Sequence, residues 1–178
     1  MSNSLQIIMN GEELRLALQR ISLQILERNQ AAGRLAIVGI HTRGVFLAER
    51  IKKIIDVQTS VPTASGALDI TLYRDDWSLI SQNPVVKTTS IDFDIDGVEL
   101  VVVDDVIYTG RTIRAAMDAL MDYGRPHTIQ LACLVDRGER QLPIQPDYVG
   151  LITAVRPDER IEVQLSEMGG QDQVVIER

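Results

Sequence analysis

The chain is short of the residues on which metal and redox chemistry is built. Its 178 residues include one cysteine, Cys133, and two histidines, His41 and His127. A disulfide framework and a Cys/His zinc cluster are therefore excluded. Cys133 sits inside the apolar run IQLACLV (129–135), where a lone thiol reads as a buried core residue. Long hydrophobic runs are also missing. The longest, LAIVGI (35–40) and IQLACLV, are strand-length and far below a bilayer span. The start MSNSLQIIMNGEEL has neither a basic end nor a sustained apolar stretch, so no signal peptide is expected and a cytoplasmic location is. Positive charge is in deficit: the formal net charge is −7, which argues against a surface wholly given over to nucleic acid but leaves room for a local basic patch. No G-x-x-x-x-G-K-[ST] occurs, and no G-x-G-x-x-G follows a strand, so the common nucleotide fingerprints are absent.

What is present is an ordinary globular composition, 45% hydrophobic and 24% charged, in a length that suits one domain over 1–178. Residues 11–29 predict a helix, with Leu14, Leu18, Ile21, Ile25 and Leu26 on its inner stripe and Asn10 as N-cap. RLAIVGI (34–40) predicts a strand covered on both faces, and 42–55 a second helix with Val45, Leu47, Ala48, Ile51 and Ile55 inward. ALDITLYRD (67–75) alternates as a strand, and the polar spread around Trp77 and Pro84 indicates a loop or hairpin tip. GVELVVVDD (97–105) is the clearest buried strand. A helix follows over 112–124, with Ile113, Ala116, Met117 and Leu120 inward and Gly124 as its stop. Further strands are expected at 127–138 and 160–167. Strands alternating with helices at this spacing predict βαβ units and a mostly parallel sheet flanked by helices.

Ligands of open parallel sheets bind beyond the carboxyl ends of the strands. Three polar loops occupy such ends: HTRG after LAIVGI, DDVIYTGRT after VELVVV, and VDRGER after IQLACL. In the central loop, Asp104 and Asp105 supply acceptors for the vicinal hydroxyls of a ribose. Thr109, Gly110, Arg111 and Thr112 then form a tight turn opening a helix, where free backbone N–H groups and the helix dipole favour a phosphate. The spacing therefore points to a phosphorylated ribose. An Asp-Asp pair alone is a common turn device; the whole strand–DD–turn–helix unit is not.

VVVDDVIYTGRTI resembles the phosphoribosyl-pyrophosphate (PRPP) motif of type I phosphoribosyltransferases. The wider match, GIHTRGVFLAERI (39–51), LDITLYRDD (68–76), VVVDDVIYTGRTIRAAMDAL (101–120), YGRPHTIQLACLVDRGERQLPI (123–144) and PDYVG (146–150), is similar to the pyrimidine operon attenuation regulators, the PyrR family, which double as uracil phosphoribosyltransferases. The resemblance implies a single-domain type I phosphoribosyltransferase fold with a flexible arm or hood at 68–90. It implies joining uracil to PRPP to give UMP and pyrophosphate, and sensing of UMP or UTP to regulate pyrimidine biosynthesis by transcription attenuation. Asp104, Asp105 and Arg43 would be catalytic. Thr42, Arg43 and Gly44 would grip pyrophosphate, and Val106, Ile107, Tyr108, Thr109, Gly110, Arg111 and Thr112 would complete the sugar-phosphate site. Magnesium would be held by Asp104 and Asp105, directly or through water. The base pocket would draw on Asp136, Arg137 and Val155. Arg20, Arg137 and Arg140 would contact a pyr-type leader mRNA, and the chain would form a homodimer or higher homo-oligomer, with no membrane partner. The pyrophosphate loop of such folds often holds a non-proline cis peptide.

Two departures stand out. Where the family usually carries K-x-(I/V)-P-T-S after D-Y-(I/V)-G, this chain reads LITAVRPDE (151–159), so base selectivity or rate can differ. Glu139 and Gln145 also stand where the family tends to be basic, which weakens the case for RNA. Two alternatives stay open: an RNA-binding regulator with little or no catalysis, and a phosphoribosyltransferase for a different base.

Overall fold

The structure, a computed structural model, describes residues 5–76 and 86–178. The expectations placed on Trp77 and Pro84 lie outside these residues. Elements run in the order β1 (Leu5–Met9), α1 (Gly11–Arg28), β2 (Leu35–Ile40), α2 (Arg43–Gln58), β3 (Ala64–Leu68), β4 (Glu99–Ile107), α3 (Arg111–Met121), β5 (Thr128–Asp136), β6 (Tyr148–Ile152), β7 (Arg160–Gln164) and β8 (Gln173–Glu177). Short 3-10 turns lie at Thr71–Tyr73 and Ser166–Met168.

Five strands form one parallel sheet in the order β3-β2-β4-β5-β6. The buried runs LAIVGI, ELVVVDDVI and TIQLACLVD are its centre, as double-sided coverage requires. One face packs on α1 and α2 through Leu14, Leu18, Ile21, Ile25, Leu47, Ile51 and Ile55. The other packs on α3 through Ile113, Ala115, Ala116, Ala119 and Leu120. The inner stripes expected from periodicity hold, except that Leu26, Val45 and Met117 are only half-buried. Asn10 caps α1 in a full capping box with Glu13. A second, antiparallel sheet, β1-β8-β7, joins the two ends of the described chain and packs its Val163, Val174 and Ile176 into the α1–α2 side of the core.

The strand expected over 67–75 is corrected in both position and length. Pairing with β2 begins at Ala64 and stops at Leu68. Asp69 ends it: its Oδ1 accepts from the Thr71 backbone N–H at 2.9 Å and the Thr71 hydroxyl at 2.6 Å, folding the chain into the 3-10 turn that takes up the rest of LDITLY. The strand-like segment at 160–167 belongs to the small sheet rather than to the main one and ends at Gln164.

Candidate active site

The order β3-β2-β4-β5 makes β2 and β4 the point where successive connections run in opposite directions, which opens a crevice at their carboxyl ends. HTRG and DDVIYTGRT meet there. Because neighbouring strand residues face opposite sides, the two aspartates are divided between the layers. Leu100 and Val102 pack with α3, and Asp104 continues that face; Val101 and Val103 pack with α1 and α2, and Asp105 continues theirs. Asp104 is buried, 6% exposed, while the Asp105 side chain is 22% exposed. Each carboxylate accepts the next backbone N–H at 3.0 Å. Burial, then the charge of Asp105, push the Asp104 carboxyl well above the usual range, and Arg74 only partly opposes them. The site is short of positive charge.

The turn after the aspartates is built to face an anion. Gly110 takes φ +91° at the start of α3, a left-handed conformation that a side chain would strain. Gly110 offers α3 no cap bond and no acid stands in its first turn, and the Arg111 N–H has only a long 3.4 Å contact to the Thr109 hydroxyl, so the helix start keeps much of its donor capacity. The turn lines a cavity of about 220 Å³ with Asp104, Arg74, Asp75 and Asp76. Here the 71–76 segment lies over the phosphate turn: Arg111 Nη1 donates to Asp75 at 2.5 Å and Arg114 Nη2 to the Tyr73 carbonyl at 3.0 Å.

On the other side of the crevice the His41–Thr42 peptide is cis. Gly44 sits so close to β4 that a Cβ there would lie 2.4 Å from the Val103 carbonyl oxygen. Glycine thus lets α2 begin against the strand that carries the aspartates. Thr42 accepts no cap bond from the first N–H groups of α2, whose first turn also lacks an acid. Arg43, the first residue of α2, lies 3.2 Å from Glu162 and 3.9 Å from Asp105. Its Nε is buried without a hydrogen-bond partner among the described residues. The returning segment after residue 85 closes this side. Lys87 Nζ donates to the Thr42 hydroxyl, His41 Nε2 pairs with the Thr88 carbonyl at 3.0 Å, and Asp69 accepts from the Lys87 backbone N–H at 2.5 Å.

The third loop is placed differently from the other two. Asp136 is 8% exposed and pairs with Arg140 at 2.7 Å. Arg140 turns inward, donating also to the carbonyls of Ile144, Tyr108 and Gly138 at 2.9, 2.8 and 3.1 Å. Its guanidinium clamps this loop to the phosphate turn, and its side chain is only 11% exposed. Arg137 stacks over the Tyr108 ring, 4.2 Å from its centroid. Arg20 is exposed but donates to the carbonyls of Val149 and Gly150 at 3.3 and 2.5 Å. Val155 is half-buried and lines a separate cavity of about 500 Å³ with Gln6, Ile8, Thr153 and Ile176 of β8. Neither Asp136, Arg137 nor Val155 lines the cavity over the phosphate turn.

The profile of the phosphoribosyl transferase domain matches residues 4–167. The Bifunctional protein PyrR of Syntrophobacter fumaroxidans is 48% identical over 176 residues, covering 99% of this chain and 95% of its own. That of Deinococcus radiodurans is 50% identical over 165 residues, covering 93% and 90%. The chain belongs to the PyrR family. Its fold is that of the type I phosphoribosyltransferases. A hypoxanthine phosphoribosyltransferase of Trypanosoma cruzi superposes with a TM-score of 0.76 at 15% identity, over 97% of this chain and 91% of that one. A hypoxanthine-guanine phosphoribosyltransferase of Bacillus anthracis does so at 0.70 and 18%, over 98% and 100%. These two likenesses speak for the fold alone.

Among the described residues of this PyrR-family chain, no group of three or more His, Cys, Asp or Glu could form an all-protein metal cage. The Asp104–Asp105 pair nevertheless suits magnesium, a hard ion that is held by one or two carboxylates together with phosphate oxygens and water. Burial and the neighbouring Asp105 both disfavour the Asp104 carboxylate, a penalty that a bound cation would relieve. Arg74 and Lys87 also stand beside the crevice; both lie in the 68–90 segment expected to form the arm, Arg74 within LDITLYRDD, but no local pattern marked either side chain. Glu162, outside every motif, is brought in by the return of the chain on β7. No helix among the described residues is long and apolar enough to cross a membrane.

Proposed function

We propose that this protein transfers the phosphoribosyl group of PRPP to uracil, giving UMP and pyrophosphate, and that the same pocket reports pyrimidine nucleotide levels in the control of pyrimidine genes by transcription attenuation. The observation that carries the transferase reading is the crevice at the strand switch point, where two helix starts with no N-cap side-chain bond and no first-turn acid flank the buried Asp104 and its neighbour Asp105. Its parts match the parts of PRPP. The first turn of α3 takes the 5-phosphate through backbone N–H groups, with Thr109, Arg111 and Thr112 beside them. Asp104 and Asp105 accept from the ribose hydroxyls. Arg43 and the backbone of the 41–44 loop take the leaving pyrophosphate.

In the reaction the C1–oxygen bond to pyrophosphate breaks, a bond from uracil N1 to C1 forms, and the N1 proton is lost. Positive charge develops on the ribose, so the chain contributes through positioning and fixed charge rather than covalent chemistry. Magnesium, when bound, would neutralise the leaving group. The 71–76 segment and the chain after residue 85 cover the two sides of the crevice and exclude water from an activated sugar. We assign residues 68–90 to the arm of the domain. The base side is built by the ends of β5 and β6, where LITAVRPDE replaces the usual family residues; backbone contacts survive such replacement.

The regulatory role follows the relatives named Bifunctional protein PyrR. With Arg140 turned inward, an RNA surface on this chain draws on exposed arginines such as Arg20, together with the half-buried Arg137 stacked on Tyr108, in a homodimer that gathers them on one face. It is recognised by an affinity for structured leader RNA that changes with UMP or UTP and falls steeply with salt.

The deciding experiment measures nucleotide formation from PRPP and magnesium with uracil and with a panel of other bases. Turnover is expected with uracil, and Asp105→Asn is expected to lower it roughly 100-fold or more. Turnover with another base alone contradicts the uracil assignment. Binding of PRPP without turnover of any base leaves the regulator.

A further inference from the structure

The parts named so far leave the three-stranded sheet without a role at the site, yet β7 delivers a carboxylate into the pyrophosphate loop. Glu162 Oε1 accepts from Arg43 Nη2 at 3.2 Å, and Asp105 Oδ2 lies 3.9 Å from Nη1. The guanidinium is thus held between two carboxylates by its outer nitrogens, while Nε is buried and unpartnered among the described residues. Glu162 is itself anchored. Gln164 donates to its second oxygen at 3.2 Å, and Gln164 accepts from Gln173 of β8 at 2.7 Å. The Arg43 and Glu162 side chains are 29% and 31% exposed, so a polyanion arriving from solvent can reach the pair. Arg43 also stands at the head of a helix whose first turn has no acid of its own. Glu162 supplies from another sheet the negative charge that this helix start lacks.

We propose that Glu162 is the resting counter-ion of Arg43 and that the leaving pyrophosphate exchanges with it for the guanidinium. The inference rests on Arg43 gripping the leaving group. With the site empty, Glu162 holds Arg43 in position and offsets its charge. With pyrophosphate present, the guanidinium turns its fork to the phosphate oxygens, and Glu162 stays on Gln164. When the product leaves, Glu162 reclaims the arginine, and this competition lowers the affinity for pyrophosphate and hastens its release. Glu162 is therefore a positioning residue. It touches no reacting atom, and the small sheet sets product affinity through it.

The test is calorimetric titration of the whole protein with pyrophosphate in the presence of magnesium, for the parent, Glu162→Gln, Arg43→Ala and Glu167→Gln. The glutamine keeps an acceptor for Arg43 but removes the competing charge. Glu162→Gln is expected to lower the dissociation constant roughly three- to tenfold, the range of a partly exposed ion pair. It also lowers KM for PRPP. Glu167→Gln removes the same charge from the small-sheet side but from a contact with Arg50, and is expected to leave pyrophosphate binding as it was. A carboxylate that only braces Arg43 gives unchanged or weaker binding in Glu162→Gln, which overturns the inference while a large loss in Arg43→Ala upholds the pyrophosphate grip. Equal tightening in Glu167→Gln also overturns it, by showing a general charge effect. Unchanged binding in Arg43→Ala removes the pyrophosphate grip assigned to that arginine and the inference with it.

Discussion

Helix α2 carries two arginines about two turns apart, Arg43 and Arg50, and their surroundings solve opposite problems. Arg50 is closed on all sides. It donates to Glu167 at 2.8 and 2.5 Å, to Asp172 at 2.7 and 2.8 Å, and to the Ser166 hydroxyl at 3.1 Å, with 20% of its side chain exposed. Arg43 has one hydrogen bond at 3.2 Å, a long approach to Asp105 and a buried Nε with no partner. The titration of the nearby acids separates the regions further. Arg50 pulls Asp172 down to about 2, whereas burial and the charge of Asp105 push Asp104 up. The middle of the helix ties the small sheet to the domain with satisfied charges. Its first residue keeps an incompletely paired charge, at a cost in stability that is met elsewhere in the fold.

The largest effect that would break this contrast is a crossed pair of substitutions. Arg50→Met should destabilise the protein by about 2 kcal/mol, as expected when a partly buried, hydrogen-bonded ion network loses its centre, and leave turnover of the remaining folded protein near the parent value. Arg43→Met should leave the melting temperature nearly unchanged and reduce turnover roughly 100-fold. Thermal melts and initial rates on the two proteins read both arms; similar losses of stability would erase the distinction.

A smaller effect lies in acid. Asp172 titrates near 2 in the folded chain against about 3.9 when unfolded, so its contribution is present above pH ~4 and is lost as pH falls towards 2. Discounted for solvent screening, it is worth about 1 kcal/mol. Urea midpoints taken between pH 5 and 2 should therefore fall less steeply in Asp172→Asn than in the parent.

The smallest concerns the arm. Asp75 holds Arg111 in an exposed pair at the phosphate turn, where the 5-phosphate of the sugar would compete with it. Asp75→Asn should lower KM for PRPP about twofold with little change in kcat, in keeping with the modest strength of exposed ion pairs. A raised KM would mean that Asp75 assists binding instead.

Most of the main sheet and the principal helices were legible because their residues obey one rule at a time. LAIVGI, LVVV and LACLV are unbroken apolar runs, and α1, α2 and α3 repeat at helical spacing between clear stops. The loops that build the crevice follow from those strands. The rest followed no local rule. β3 is ASGAL, made of small residues suited to an edge where Gly66 meets the returning chain: a Cβ there would lie 2.7 Å from the Ser90 carbonyl oxygen. β6 follows β5 across 137–147 without a helix, so no helical pattern marked a parallel crossover. β1 and β8 are short and lie near opposite ends of the chain, paired only in three dimensions. In the site, the aspartates and the phosphate turn were readable as a contiguous motif. The places of Arg74 and Lys87 within the expected arm, and that of Glu162 outside every motif, were not, because each reaches the crevice from another segment. Arg140 illustrates the converse error, since an arginine in a polar loop is expected to face solvent and this one turns inward on Asp136.

On the proposed function, the Asp104 carboxylate is kept for ligand binding against the interest of the fold. The most direct test of this claim is the melting temperature of Asp104→Asn at neutral pH without ligand, measured beside its rate of UMP formation. The amide keeps the oxygen that accepts from the Asp105 backbone N–H. Because the folded state holds the Asp104 proton more tightly than the unfolded chain, the carboxylate weakens the fold above its unfolded pKa, and increasingly up to its folded one. Melting is therefore expected to rise by a few degrees, about 2–4 °C per kcal/mol for a chain of this size, while turnover is lost. A lower melting temperature together with lost turnover would show that Asp104 is a structural carboxylate and contradict the claim.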